Sequence, residues 1–326
     1  MLTDKLPRVR LGHLPTPLEE MPHLTRALGG ARLFMKRDDQ TGLATGGNKT
    51  RKLEFAVAEA LRTGADTLVT VGAVQSNHAR QTAAAAARCG LRCTLVLRGH
   101  APPAATGNLL LDHLLGAHVV FAGERTREEV AAEVVATEQA AGRRPYLIPV
   151  GASDEFGAPG FVAAIEELDA QLRERALHPD RIVVATSSFG TQAGMCAGAR
   201  ALRFRPQIAG IAIDSPTAEV QAGVADIANR TFRRLGVESS LSPQEVVAYD
   251  AYLGAGYGIL GEPEKEAIQL VARCEGILLD PVYTGRAMAG LVDLVRKREF
   301  GKGETIVFWH TGGSAALYAY ADELAR

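Results

Sequence analysis

The chain reads as α/β, with two doubly wound units of three layers (αβα), each a mostly parallel sheet between helices. Three observations predict this. Short β-branched or apolar runs alternate with longer segments of helical periodicity along nearly the whole chain. The alternation pauses between Gly151 and Ala158 and then begins again. Finally, 326 residues at 47% hydrophobic content can fill two moderate cores or one large one, and the length favours two.

In order, an irregular start around His13, Pro15 and Pro17 leads to a strand at 33–36 and then to the stretch GGNKTRKLEF, Gly46 to Phe55. Gly46 and Gly47 permit a tight turn, Asn48 is a candidate helix cap, and Leu53, Phe55, Ala56 and Ala60 form an apolar stripe at helical spacing. A strand at 67–71, β-branched and fit for burial on both faces, precedes an alanine-rich helix that Gln75, Ser76 and Asn77 open and that ends at Gly90. Strand 92–97, helix 108–115, strand 118–121, helix 126–141 and strand 145–148 continue the pattern. After a return helix from Ala158, the second unit runs through strand 181–185, strand 207–212, helices 216–224 and 262–274, strand 277–279, helix 285–296, strand 305–309 and helix 314–324. Ligands of such sheets bind at the carboxyl ends of the strands.

Composition narrows the partners. A formal net charge of -1 provides no basic field for nucleic acid or anionic lipid, which leaves a small molecule as the expected ligand. Cys89, Cys93, Cys196 and Cys274 are scattered, with no Cys-x-x-Cys pair, so neither a disulfide framework nor a metal site is expected. The start MLTDKLPRVRLGHLP has no apolar leader region, and no run is long enough to span a bilayer, so a soluble cytoplasmic protein is expected.

The turns carry the chemistry. Lys49 falls in the first turn of its helix, where the positive end of the helix dipole disfavours an ammonium and favours a nucleophilic amine. Taken alone, Lys49, Arg51 and Lys52 read more simply as solvated charges on an exposed first turn. The stretch SSFGTQAG, Ser187 to Gly194, follows a strand and opens a helix, so its amides and the Ser188 and Thr191 hydroxyls can cup a phosphate, although it matches neither GxxxxGK[ST] nor GxGxxG. Gln75, Ser76, Asn77 and His78 can bind a carboxylate at a helix start, or Ser76 and Asn77 can simply cap it. Thr311, in HTGG, falls at another strand end, while His310 reads as scaffolding. Tyr257 and Tyr283 sit in glycine-bearing loops, as core plugs or as acids facing a cleft. A nucleophilic lysine, a phosphate cup and a neutral hydroxyl at a strand end are the requirements of pyridoxal phosphate.

Five motifs in order, GGNKTRKLEF, AVQSNHARQTAA, SSFGTQAGM, DPVYTGRAMAGL and FWHTGG, resemble those of the 1-aminocyclopropane-1-carboxylate deaminase and D-cysteine desulfhydrase family, from about His13 to Ala319. The resemblance implies a tryptophan-synthase-β-like fold (type II of the pyridoxal-phosphate enzymes) and a homodimer. Residues 1–52 and 158–326 would form the large cofactor-binding domain, and 53–157 the small inserted one. It further implies Lys49 as the Schiff-base lysine, Asn77 on the ring hydroxyl, Ser188, Phe189, Gly190 and Thr191 around the phosphate, and Thr311 at the pyridine nitrogen. Ser76 and Asn77 would take the substrate carboxylate, with Tyr257 and Tyr283 near the reacting carbon. Ring-opening members resemble one another in a glutamate after the second tyrosine and a leucine in place of threonine in HTGG. Thr284 and Thr311 stand there in this chain, as in the desulfhydrase branch. The stretch GHAPPAATGN after Arg98 is shorter than many family versions.

The expected reaction is therefore β-elimination from D-cysteine or a related β-substituted alanine, giving pyruvate, ammonia and sulfide. Ring-opening deamination and sulfite removal from L-cysteate are the alternatives within the family; TGLATGGNK and TQAG resemble the cysteate lyases. Outside it stands a non-catalytic phosphometabolite-binding α/β protein. A nicotinamide enzyme is disfavoured, because no GxGxxG follows a strand.

Overall fold

The computed structural model describes residues 1–325. Ten strands form two sheets: β1 (Leu18–Glu20), β2 (Arg32–Arg37), β3 (Thr67–Gly72), β4 (Arg92–Leu97), β5 (His118–Phe121), β6 (Pro145–Ile148), β7 (Arg181–Thr186), β8 (Gln207–Ala212), β9 (Val247–Tyr249) and β10 (Thr305–His310). The larger sheet has the order β1-β2-β10-β7-β8-β9 and the smaller β5-β4-β3-β6. All pairings are parallel except that of β1 with β2.

The central strands read as continuous apolar runs because helices cover both faces. Alternate residues go to opposite cores. In β7, Val183 joins one core while Ile182 and Val184 join another; in β10, Ile306 and Phe308 separate in the same way from Val307 and Trp309. The smaller sheet sends Cys93, Leu95 and Leu97 of β4 to one face and Val96 to the other. The α/β fold with helix-flanked parallel sheets is the one the alternation predicts.

Three local expectations are corrected. Residues 277–279 form no strand. Ile277 and Leu279 are buried around exposed Leu278, a strand-like pattern, but no strand lies alongside, and the Leu278 carbonyl bonds the His310 ring at 3.0 Å instead. The edge strands β1 and β9, three residues each, are too short to leave a periodic signal. The helix expected at 216–224 continues as Thr217–Leu235, and the last one breaks into two single turns, Ser314–Leu317 and Ala321–Leu324.

Candidate active site

The order of the larger sheet explains why distant motifs meet. The turns carrying Lys49, Thr311 and Ser188 follow β2, β10 and β7, which are neighbours in the sheet. The strand ends of the smaller sheet face the same crevice, supplying Ser76 and Asn77 after β3, Arg98 after β4 and Gly151 after β6. The resulting cavity has a volume of about 600 Å³. Lys49, Ser76, Asn77, His78, Ser188, Phe189, Thr191, Tyr257, Tyr283 and Thr311 line it, and Gly190 lies directly behind.

Lys49 is the first residue of helix Lys49–Arg62. The turn before it is clamped against the β10 turn: Asn48 N–H donates to the Thr311 carbonyl at 2.9 Å, and a Cβ on Gly312 would lie 2.7 Å from Gly47 Cα. Asn48 does not cap the helix as expected. It is itself helical, and its side-chain amide donates to Thr191 Oγ1 at 3.1 Å, tying the lysine turn to the β7 turn. The Lys49 amine has no hydrogen bond or ion pair among the described residues, and its pKa is lowered to about 8. Burial is the leading cause, opposed by the Asp214 carboxylate.

One turn on, Lys52 is fully buried rather than solvated. Its ammonium donates to the Gly151 carbonyl at 2.6 Å and to Ser153 Oγ at 2.8 Å, and Ser153 Oγ shares a 2.8 Å bond with Ser188 Oγ. No carboxylate lies within ion-pair distance of it among the described residues, and Asp154 acts on it only from further off. Burial, reinforced by Lys49, lowers its pKa well below the ordinary lysine value. Phe189 adopts a left-handed backbone (φ 63°), a conformation that costs a non-glycine residue about 1–3 kcal/mol. Its ring lies over Gly223, where a Cβ would come within 2.2 Å. The turn opens helix Gly190–Leu202, whose first amides lack helical acceptors. A Cβ on Gly190 would approach Lys52 Nζ to 2.8 Å and Ser153 Oγ to 2.7 Å. A buried amine that a bound anion would keep protonated, two hydroxyls and a helix N-terminus thus converge on one spot, which is the donor set of a phosphate site.

On the opposite wall Ser76 caps helix Asn77–Arg88, with Oγ accepting from Ala79 N–H at 3.1 Å, which leaves its proton free to be donated. Asn77 Oδ1 accepts from Arg80 at 3.1 Å and from Asn108 at 3.0 Å, so only its amide N–H groups are available to a ligand. His78 leaves the expected carboxylate-binding set. The Thr70 hydroxyl gives its proton to the Ile148 carbonyl, so His78 Nε2 donates to Thr70 Oγ1 at 2.8 Å and Nδ1 remains a bare acceptor. Burial, with Lys49 and Lys52 nearby, holds the ring neutral, and a neutral acceptor cannot hold an anion.

Tyr257 and Tyr283 share a 2.6 Å hydroxyl–hydroxyl bond with rings packed edge to face. Burial pushes Tyr257 up to about 12 and Tyr283 well above its ordinary value, so both phenols stay protonated near neutrality. The buried Asp280 carboxylate orients the second by accepting from Tyr283 N–H at 2.9 Å. His310 is scaffolding as read, with Nε2 on Leu278 O and Nδ1 accepting from Gly312 N–H.

A family model of pyridoxal-phosphate dependent enzymes matches residues 9–312. The chain belongs to that family. It is also similar to the crystal structure of an ACC deaminase homologue, at 39% identity over 99% of this chain and 97% of that one, with a TM-score of 0.91. A pyridoxal 5'-phosphate-dependent aspartate racemase, at 19% identity, 91% and 90% coverage and a TM-score of 0.65, shares the fold. Pyridoxal 5'-phosphate is accordingly the cofactor of this enzyme, and the cavity suits it: an uncharged-capable amine, an anion cup with an unneutralised cation, and an asparagine restricted to donating.

Several residues of this pyridoxal-phosphate enzyme's cavity escape the sequence reading. Lys52 had a signal, its i+3 spacing from Lys49 on one helix face. Asp214 follows β8 at a strand end, and Ser187 Oγ donates to it at 2.6 Å. Ser153, Arg98 and Arg127 carried no motif.

Proposed function

We propose that this enzyme catalyses β-elimination from D-cysteine or a related β-substituted alanine. The observation that carries the reading is the Lys49 amine, half-buried at the cavity wall with no carboxylate within ion-pair distance among the described residues, lowered to about 8, beside the cup around Lys52 and Ser188. Bound there, pyridoxal phosphate supplies an electron sink that acidifies the substrate Cα–H. Lys49 would hold the coenzyme aldehyde, and its amine in neutral form would receive the substrate α-proton. Ser76 Oγ–H and the Asn77 amide orient the substrate carboxylate, Asn77 also meeting the ring hydroxyl. Ser188, Phe189, Gly190 and Thr191 would hold the phosphate, and Thr311 would offer a neutral hydroxyl to the pyridine nitrogen. The protonated tyrosine pair donates to sulfur as the Cβ–S bond breaks and its electron pair leaves with sulfur. Water then converts the released 2-aminoacrylate to pyruvate and ammonia.

The environment of Thr284 supports elimination over ring opening. It is fully buried, with its hydroxyl donating to Asp280 Oδ1 at 2.7 Å, so no acid follows Tyr283 into the cavity. The domain assignment accompanies the proposal: β3 to β6 fall within 53–157, and the remaining strands within 1–52 and 158–326. Sulfide and pyruvate are expected from D-cysteine well ahead of 2-oxobutyrate from the cyclopropane acid. Faster 2-oxobutyrate release would replace elimination with ring opening.

A further inference from the structure

Behind the wall that carries Asn77 lies a fully buried arginine, Arg80, one turn further along helix Asn77–Arg88. Its Nη1 donates to Asn77 Oδ1 at 3.1 Å and to Asn108 Oδ1 at 2.6 Å, and its Nη2 donates to the Gly46 carbonyl at 2.7 Å. Asn108, also fully buried, closes a triangle: its Nδ2 donates to Asn77 Oδ1 at 3.0 Å and to the Gln75 carbonyl at 2.9 Å. A guanidinium can only donate, so the triangle fixes the sense of both amides and turns Asn77 Nδ2 away from Arg80. No described residue accepts from that Nδ2. Gly313 keeps the space beside it open, since a Cβ there would lie 2.8 Å from Nδ2.

Neutral oxygens compensate a buried cation poorly. Two carboxylates face Arg80, and neither bonds it. Asp112, on helix Gly107–Leu114, is buried with neither oxygen hydrogen-bonded and acts on Arg80 only from beyond ion-pair distance. Asp280 is taken up by the N–H groups of Val282, Tyr283 and Thr284. Burial lowers the Arg80 pKa to about 10, which still leaves it cationic at neutrality. A cation bonded to an amide oxygen draws electrons from the amide and strengthens its N–H groups as donors. The Gly46 carbonyl, which Gln81 Nε2 also binds, ties the same guanidinium to the turn before Lys49.

We infer that Arg80 is a positioning residue acting through Asn77: it aims the Asn77 N–H at the coenzyme's ring oxygen, strengthens that donor, and so favours the ionised form of the oxygen. The inference rests on the reading that places Asn77 at the ring hydroxyl, and it requires no particular substrate. Arg51 makes the contrast plain. Arg51 is neutralised by carboxylates and holds scaffold, whereas Arg80 keeps its charge directed at a ligand-facing amide.

The test is a pH titration of the near-visible coenzyme band of the holoenzyme, without substrate. A donor and a cation acting on the ring oxygen lower the midpoint of that titration, so removing them raises it. Arg80→Gln should raise it by about one pH unit, the scale of one hydrogen bond. Asn77→Ala should raise it at least as far, and the double variant no further than Asn77→Ala, because Arg80 then has nothing to act through. Leu68→Ala, a core change in the same sheet, should lower the thermal midpoint and leave the band's midpoint in place. Asn108→Asp keeps the side-chain shape, neutralises Arg80 where it stands and removes the second donor to Asn77 Oδ1. It should also raise the midpoint, and it decides the matter if Arg80→Gln fails to fold or to hold coenzyme. A midpoint unmoved by Arg80→Gln and Asn108→Asp overturns the inference, as do shifts that add in the double variant. If Asn77→Ala alone moves the midpoint, the ring contact stands and only the part of Arg80 falls; if Asn77→Ala does not move it either, both fall.

Discussion

Helix Lys49–Arg62 opens with buried cations on two sides. On one, Arg51 donates to both oxygens of Asp38 at 2.8 Å, to both oxygens of Glu167 at 2.9 Å, and to Thr16 Oγ1 at 2.9 Å. That pairing raises its pKa and keeps Glu167 ionised, at about 2. On the other, buried Lys52 and half-buried Lys49 have no carboxylate within ion-pair distance among the described residues, and both are lowered. Burial alone thus separates nothing: a paired buried charge is scaffold, and an unpaired one at a cavity wall waits for a ligand.

The sharpest way to break this contrast is Lys49→Ala. Product formation should fall to background, and the near-visible band given by added pyridoxal phosphate should vanish, while the thermal midpoint holds or rises because a desolvated amine has been removed. A persisting band would transfer the anchor to Lys52. Arg51→Met attacks the paired side and leaves Asp38 and Glu167 buried without their partner. It should cost about 3–5 kcal/mol in urea unfolding, and an almost unchanged midpoint would deny the scaffold role.

Lys52→Met should weaken coenzyme binding by roughly 10- to 100-fold, the worth of a charged hydrogen bond, with folding stability maintained. Equilibrium titration with pyridoxal phosphate measures it, and an unchanged Kd would remove Lys52 from the cup. The smallest effect is in pH. Because the folded Lys49 value, about 8, lies below the ordinary 10.5, the folded state binds fewer protons between those limits. Coenzyme uptake should therefore rise with a midpoint near 8, and stability should grow from pH 8 towards 10.5. A Lys49→Ala background should abolish that gain, and a flat uptake profile would mean that Lys49 keeps an ordinary pKa.

Much of the site was legible because turns at strand ends announce themselves locally. Glycines, hydroxyls and amides at 46–49, 76–77, 188–191 and 311 mark four such turns, and Tyr257 and Tyr283 stand out by their loops. Other signals misled. Asn48 bridges to Thr191 instead of capping, and His78 spends its N–H on Thr70.

From sequence alone came the α/β class, the positions of the central strands and the residues standing at their carboxyl ends, because periodicity and turn chemistry act within a few residues. Tertiary structure decided which turns became neighbours: only the order β2-β10-β7 brings residues 49, 311 and 188 together. It also decided the charge states. The partner that makes Arg51 scaffold lies 116 residues away, and the absence of any such partner among the described residues is what sets Lys49 and Lys52 apart. Pairing and desolvation depend on the whole surrounding volume, which no local stretch of sequence encodes.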